Sequence, residues 1–353
     1  MWLVTDSGRM DKIEEAVKRR RIPKWVIPAT GYGVSAASLI WVFSKFPFGQ
    51  LGEHLKTLSW TWVAVAIGVE IAVYFADAWR WMVLLGPAGD PPFMSCLQAV
   101  FVGLFANDIL PAKTGEIIRC FLLSYKNDIH VPIVLTSDVV LRIMDGLWIV
   151  ILYLAVTGQI STHVRVDEAM VVFGAGALAI ALVFLWVLFH RQHAHHFANN
   201  RSWAARFIHL LEEVHTLGHW REMGITMAIG GIYWILQAVA IWAICRADKF
   251  EFGASEVVFL LVVKTVVTLV PSAPANMGLY QSSTVYALGL LLTEKGPAEV
   301  LAEIMFVVLT LPLVVGGAIA IASAGYNLSD LHRHAHHAHR TARLRHRTPQ
   351  EGH

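Results

Sequence analysis

The sequence predicts an all-α polytopic membrane protein of six full transmembrane helices plus two re-entrant broken hairpins, arranged as an inverted repeat. Three observations predict it. First, the 353 residues are 56% hydrophobic and only 15% charged, where a soluble domain carries about 25% charged residues. Second, the apolar residues come in blocks near the roughly 20 residues that a bilayer-spanning helix requires. Third, two apolar segments are too short to cross and end in proline turns: AVFVGLFANDILPAKTGEIIR (Ala99–Arg119) and FLLVVKTVVTLVPSAPANMGLYQ (Phe259–Gln281). Irregular backbone at membrane depth is tolerated only where it is buried in protein or lines a cavity. Interrupted segments in corresponding positions of two halves point to a transporter's substrate site.

Six full spans are read from length and apolarity: Trp25–Phe46, Leu58–Leu84, Val131–Thr157, Ala169–Phe189, Gly224–Ile244 and Ala298–Ala322. One broken segment follows the second span and the other follows the fifth. Each half therefore reads span, span, broken hairpin, span. The single transmembrane domain runs over 25–323, with halves at about 25–157 and 169–323.

Basic residues set the orientation. One side holds 18 Lys and Arg: seven in the segment 1–24, two in Arg119–Lys126, four in Arg191–Arg221 and five in the tail 324–353. The other side holds six: Lys45, Lys56, Arg165, Arg246, Lys249 and Lys295. The basic side is expected to be cytoplasmic, with both termini on the cytoplasmic side of the inner membrane. An odd number of crossings per half then inverts the second half, so the two hairpins enter from opposite sides and their turns approach near the midplane. The repeat rests on pattern, because no residue-by-residue identity links the halves.

Little lies outside the membrane. The loop 190–222 carries Trp203, Phe207, Leu210, Leu211, Val214 and Leu217 at helical spacing. It is read either as an amphipathic helix on the inner surface or as a short helix packed under the bundle. The cluster Lys18–Arg21 orients the first span and is placed to meet anionic headgroups. The tail, with HRHAHHAHR at His332–Arg340, reads as disordered and basic, and the cluster at His193–His196 likewise shows no ligand geometry. Cys96, Cys120 and Cys245 show no CxxC pairing, so neither a disulfide framework nor a metal site is expected. A net charge of only +2 gives no reason to expect a nucleic-acid partner. No phosphate-loop, HExxH or GxSxG motif appears, so no cofactor and no enzymatic activity are expected.

The polar residues inside the membrane carry the functional reading. Ionisable groups there cost roughly 2.5–3.5 kcal/mol each on an insertion scale, so they must pair or line a wet cavity. The chain holds Glu70, Asp77, Arg80, Asp108, Lys113, Glu116, Asp138, Arg142, Asp145 and Lys264 at membrane positions. Asp77 and Arg80, three apart, read equally as a helix-holding pair or as part of a site. Asp138, Arg142 and Asp145 share one helical face, read as bordering the site. One arginine does not neutralise two carboxylates, which calls for a cation from a neighbouring helix, with Lys113 and Lys264 as candidates.

In the first hairpin, Pro111 stops one helix, Gly115 permits a turn, and a new helix begins near Thr114 or Gly115. Its free amides, with Lys113 and Arg119, form a cradle suited to phosphate or carboxylate. Glu116 is placed either to cap that helix or to balance Lys113. Asn107 and Asp108 precede the turn. The second hairpin offers Lys264, Ser272, Pro274, Asn276, Gly278 and Gln281, with Pro271 shaping the turn and a new helix from about Leu279.

At these residues the chain resembles the lysylphosphatidylglycerol synthase transmembrane-domain family, flippase-like membrane proteins. The family's N-x-x-x-P-x-[KR]-x-G-E-x-x-R pattern is matched by Asn107, Pro111, Lys113, Gly115, Glu116 and Arg119. Arg142 and Asp145 match part of a second motif, and Arg80, Trp81, Leu84 and Leu85 resemble an R-W-x-x-L-L element. A late P-x-x-P-G-G-x-G-x-x-E pattern survives as Pro271, Pro274 and Gly278, with Ala275, Asn276 and Gln281 in place of two glycines and the acid. The resemblance covers roughly 58–322. It implies translocation of a polar-headed lipid across the cytoplasmic membrane. The chain stops after the sixth span without a soluble aminoacyl-transfer region, so it is not expected to make an aminoacylated lipid itself.

The expected function is therefore a lipid flippase holding an anionic or phosphate-bearing headgroup near the midplane, with Lys113, Arg119 and Arg142 as the main cationic contacts. The alternatives are an ion-coupled transporter of a small anion and an accessory membrane subunit of a glycosyltransferase or lipid-modifying enzyme. Expected partners are membrane lipids and, in the last of these readings, such an enzyme.

Overall fold

The four long apolar blocks that fall in residues 56–110, 114–156, 220–269, 276, 278–292 and 296–323, which the computed structural model describes, all form long helices. These residues belong to one compact unit, Pro47–Ala324. Eight helices are described: α1 (Trp60–Gly89), α2 (Phe93–Ile109), α3 (Gly115–Asn127), α4 (Val131–Val156), α5 (Trp220–Ala247), α6 (Ala254–Thr268), α7 (Leu279–Leu291) and α8 (Gly296–Ser323). No strand occurs among the described residues. Helices α1, α4, α5 and α8 are long and apolar enough to cross a membrane.

The expected spans Trp25–Phe46 and Ala169–Phe189 lie outside the described residues, as do the segment 1–24, the tail 324–353 and most of the loop 190–222. The last residues of that loop, from Trp220, are already the first turn of α5. Helix α1 extends past the expected Leu84 to Gly89, carrying Pro87 in its last turn, and ends on a left-handed Asp90 (φ 42°).

The short helices α2 and α3 form an antiparallel hairpin, because Gly103 faces Arg119 while Asn107, one turn later, faces Gly115. At 17 residues, α2 is about 25 Å long, short of the roughly 30 Å hydrocarbon core. Its counterpart α6 has 15 residues. Both begin five or six residues before the apolar runs noted in the sequence. Helices α3 and α7 start at Gly115 and Leu279, where the turn residues place them.

Lengths repeat along the chain. Helices of 30, 17, 13 and 26 residues in the first half are followed by helices of 28, 15, 13 and 28 in the second. The packing repeats as well. Exchanging α1 with α5, α2 with α6, α3 with α7 and α4 with α8 maps every principal helix contact onto another: α2 packs on α8 as α6 packs on α4, and α3 lies on α4 as α7 lies on α8. The most extensive contact is α1 with α5. That pair is antiparallel: the Ser59 amide donates to the Ala247 carbonyl (2.9 Å), Trp62 meets Trp242 edge-on (5.1 Å), and Thr226 reaches the Arg80 carbonyl (3.5 Å).

Small residues allow the close crossings, as is usual where lipid tails remove the hydrophobic drive between helices. A Cβ on Gly316 or Gly317 of α8 would collide with Phe101 or Phe105 of α2, and one on Gly231 of α5 with Trp148 of α4. Large apolar side chains such as Leu154, Ile235 and Ile319 point outward, each more than 60% exposed, as lipid-facing positions do.

Candidate functional site

The ionisable residues of the first half converge. Arg80 on α1 donates from Nε to Asp77 (2.8 Å) and grips Asp145 of α4 with both terminal nitrogens, Nη2 at 3.1 Å. Arg119 on α3 contacts Asp138 of α4 and lies 2.8 Å from Glu116 and 3.6 Å from Asp77. Arg142, in the middle of α4, places Nη2 at 2.9 Å from each Glu116 oxygen and Nη1 at 3.6 Å from Asp145. Thus three guanidiniums and four carboxylates form one network joining α1, α3 and α4.

Aromatic rings close it. Arg80 sits over Tyr233 (4.3 Å) and Arg119 over Trp81 (4.9 Å), arrangements that stabilise a cation by the ring's negative face. The Trp81 indole donates to Ser137 (2.8 Å) and the Trp234 indole to Asp145 (3.3 Å). Trp81 is fully buried.

Exposure divides the network. The side chains of Arg80 and Arg119 are 2% and 1% exposed, whereas Arg142 is 44% exposed and its partner Glu116 25%. Half-exposed residues also line the hairpin ends: Asn107 and Asp108 in α2, Thr265 near the end of α6, Tyr280 and Gln281 in α7.

These positions correct several expectations. Among the described residues the cations that balance Asp138 and Asp145 are Arg119 and Arg80, not Lys264. Asp77 and Arg80 are part of the larger network and not an isolated pair. Arg119, expected with the basic-side charges and as a main cationic contact for the headgroup, is instead buried against carboxylates. Glu116 accepts from Arg142 and from the Asn107 amide (3.1 Å). Gly115 does not adopt a left-handed turn, since the one positive-φ glycine among the described residues is Gly278. Its role is close packing: a Cβ there would lie 2.0 Å from the Gly103 carbonyl oxygen. Pro111, Lys113, Pro271, Ser272 and Pro274 lie outside the described residues.

The second hairpin is built differently. Lys264 on α6 lies 5.7 Å from the Tyr280 ring, and its charge acts on the buried Glu70 of α1 without an ion pair within 4 Å among the described residues. Asn276 (φ 50°) and Gly278 (φ 85°) make the left-handed turn into α7. The Gly278 amide donates to Gln281 (2.6 Å), so Gln281 satisfies the start of its own helix. Asp108 stands in the last turn of α2, near Tyr74.

The site also takes in Trp81, Tyr233 and Trp234, to which the sequence assigns no role there, and Asp77 and Arg80, whose spacing fits a helix-holding pair and a site equally. For three of them a signal existed: the intramembrane Asp77–Arg80 spacing and the Arg80-Trp81 dipeptide. Tyr233 and Trp234 sit in a featureless apolar span and carry no such mark.

The network is assembled by the segments that a family model recognises. The model for the lysylphosphatidylglycerol synthase transmembrane region matches residues 29–317. The chain belongs to that family. Membership relates this multi-pass membrane protein to lipid handling. No curated protein and no solved structure matches the chain. Within the family's region, the N-x-x-x-P-x-K-x-G-E-x-x-R segment supplies Asn107, Glu116 and Arg119 to one cluster of hydrogen bonds and ion pairs, and the Arg80-Trp81 element joins that cluster through Asp77 and the Trp81 ring.

Proposed function

We propose that this protein carries a polar-headed, phosphate-bearing lipid across the cytoplasmic membrane, through a site at mid-depth between two re-entrant hairpins. The observation that carries the reading is Arg142: a half-exposed guanidinium twelve residues into a 26-residue apolar helix. A charge held there faces a wet cavity or a polar ligand, because lipid tails give it no partner.

The re-entrant geometry has support in the packing. Helix α2 runs antiparallel to α8, from Gln98 at Ala320 and Ser323 to Phe105 at Gly317. It ends four residues later, about 6 Å further on, within about a turn of the middle of the apolar stretch Ala298–Ile321. The inverted repeat has support in the exchange symmetry of the contacts and in the antiparallel pairing of α1 with α5. Two-sided access to a central site is what such a repeat provides. In this reading the protein is a carrier without catalytic chemistry, its termini are cytoplasmic, and the lipid's tails stay in the bilayer.

The test is lipid translocation in liposomes containing the purified protein, read by dithionite quenching of phospholipids carrying a fluorophore on one acyl chain. The wild type is expected to expose inner-leaflet lipid to quenching, and Arg142→Ala and Lys113→Ala to abolish it while remaining folded. Wild-type rates equal to protein-free liposomes overturn the carrier; unchanged rates in both variants overturn the site.

A further inference from the structure

The Glu116–Arg142 pair carries an inference about the headgroup, resting on the carrier reading above. We infer that the cargo headgroup is zwitterionic, a phosphate flanked by an ammonium, and that it binds by opening this pair, phosphate to Arg142 and ammonium to Glu116.

Three observations lead there. The pair is the one contact of the network whose two members are both open, at 44% and 25% side-chain exposure, while Arg80, Arg119, Asp77, Asp138 and Asp145 are each 11% exposed or less. Arg142 uses a single nitrogen, Nη2, for both oxygens of Glu116, so no forked geometry locks it and its remaining N–H groups can meet a phosphate. The network already holds four carboxylates against three guanidiniums among the described residues.

Charge arithmetic then selects among headgroups. An anion that displaces Glu116 from Arg142 leaves that carboxylate to Asn107 and to Arg119, which Asp138 and Asp77 already share. A lone cation that takes Glu116 leaves Arg142 with Asp145, which is already held by Arg80 and Trp234. A headgroup carrying both signs replaces both halves of the pair at once and leaves the net charge of the network unchanged. An ion pair is therefore exchanged for two ion pairs, and neither protein charge is stranded at membrane depth.

The experiment compares rates within one preparation. Liposomes with the purified protein receive acyl-labelled phosphatidylethanolamine, phosphatidylglycerol or a cationic trimethylammonium lipid, and dithionite quenching gives each rate. Radiolabelled glycerophosphoethanolamine is offered in parallel as the soluble form of the same chemistry. The wild type is expected to move phosphatidylethanolamine about tenfold faster than either other lipid, the factor that one charge-assisted hydrogen bond supplies, and to take up no soluble compound. In Glu116→Gln the ratio of phosphatidylethanolamine to phosphatidylglycerol is expected to fall by about the same factor. The ratio is read within one variant, so a reduced folded fraction cancels. Phosphatidylglycerol or the cationic lipid moving as fast as phosphatidylethanolamine in the wild type overturns the inference and leaves the carrier standing. An unchanged ratio in Glu116→Gln overturns the role of the pair. Uptake of the soluble compound without lipid movement overturns the lipid as its source, and movement of no lipid at all overturns the carrier and this inference together.

Discussion

Gly115→Ala tests the hairpin on which the site is mounted. The added Cβ would lie 2.0 Å from the Gly103 carbonyl oxygen, 2.7 Å from the Asn107 nitrogen and 2.6 Å from Asn107 Oδ1, where ordinary contact begins at 3.4 Å. Two of these atoms are backbone, so a rotamer change does not relieve them, and α2 and α3 must separate by about 1.4 Å, the difference between 2.0 and 3.4 Å. Overpacking of this kind costs about 1–3 kcal/mol, and backbone neighbours place Gly115 at the upper end. The same separation stretches the 3.1 Å hydrogen bond from Asn107 to Glu116, so transport is expected to fall with stability. The assay is thermal unfolding of the detergent-solubilised protein by intrinsic fluorescence, with Gly68→Ala as the control, because a Cβ at Gly68 meets nothing within 4 Å. The expected result is a drop of several degrees in Tm for Gly115→Ala and no drop for Gly68→Ala. Equal melting temperatures for the two variants would refute the close crossing of α2 and α3.

Two further outcomes follow from the buried charges and the second turn. Arg119→Ala strands Asp138, which is 11% exposed, and is expected to cost about 3–5 kcal/mol. Adding Asp138→Ala is expected to recover part of that loss, a coupling that a double-mutant cycle on unfolding measures; additive losses would contradict the pair. Gly278→Ala meets no neighbour within 4 Å but sits at φ +85°, so backbone strain alone is expected to cost about 1–2 kcal/mol, read as lower thermal stability than in Gly289→Ala, where a Cβ meets no neighbour either.

Much of the scaffold is legible in the chain because membrane helices announce themselves by length and apolarity. All four described spans lie where hydropathy places them, and α3 and α7 begin within a residue of the positions that glycine and proline mark. Gly115 shows the limit of that punctuation. A glycine after a proline reads as a turn residue, but here the same residue is selected by a helix crossing, and only the position of Gly103 separates the two causes. The intramembrane charges are equally visible, since each is costly there, yet their pairing is not. Lys113 and Lys264 stand at membrane positions just as Arg80 and Arg119 do, and nothing in their spacing from the carboxylates of α4 chooses among the four. The packing of α1 and α3 on α4 instead brings Arg80 and Arg119 to Asp145 and Asp138. Tyr233 and Trp234 look like ordinary lipid-span aromatics until α5 is laid against Arg80 and Asp145. The repeat, too, is carried by which helices touch and not by matching residues.

The most direct measurement is the depth of the two turns. Nitroxide labels at Thr114 and Asn276, which start α3 and precede α7, are placed one at a time in the protein in a bilayer, and depth is read from the ratio of collisions with oxygen and with a water-soluble nickel complex. The account predicts both labels within about a helical turn, roughly 5 Å, of the bilayer centre. A label at the headgroup level for either position would contradict it, because a lipid headgroup would then have no polar site waiting at mid-membrane.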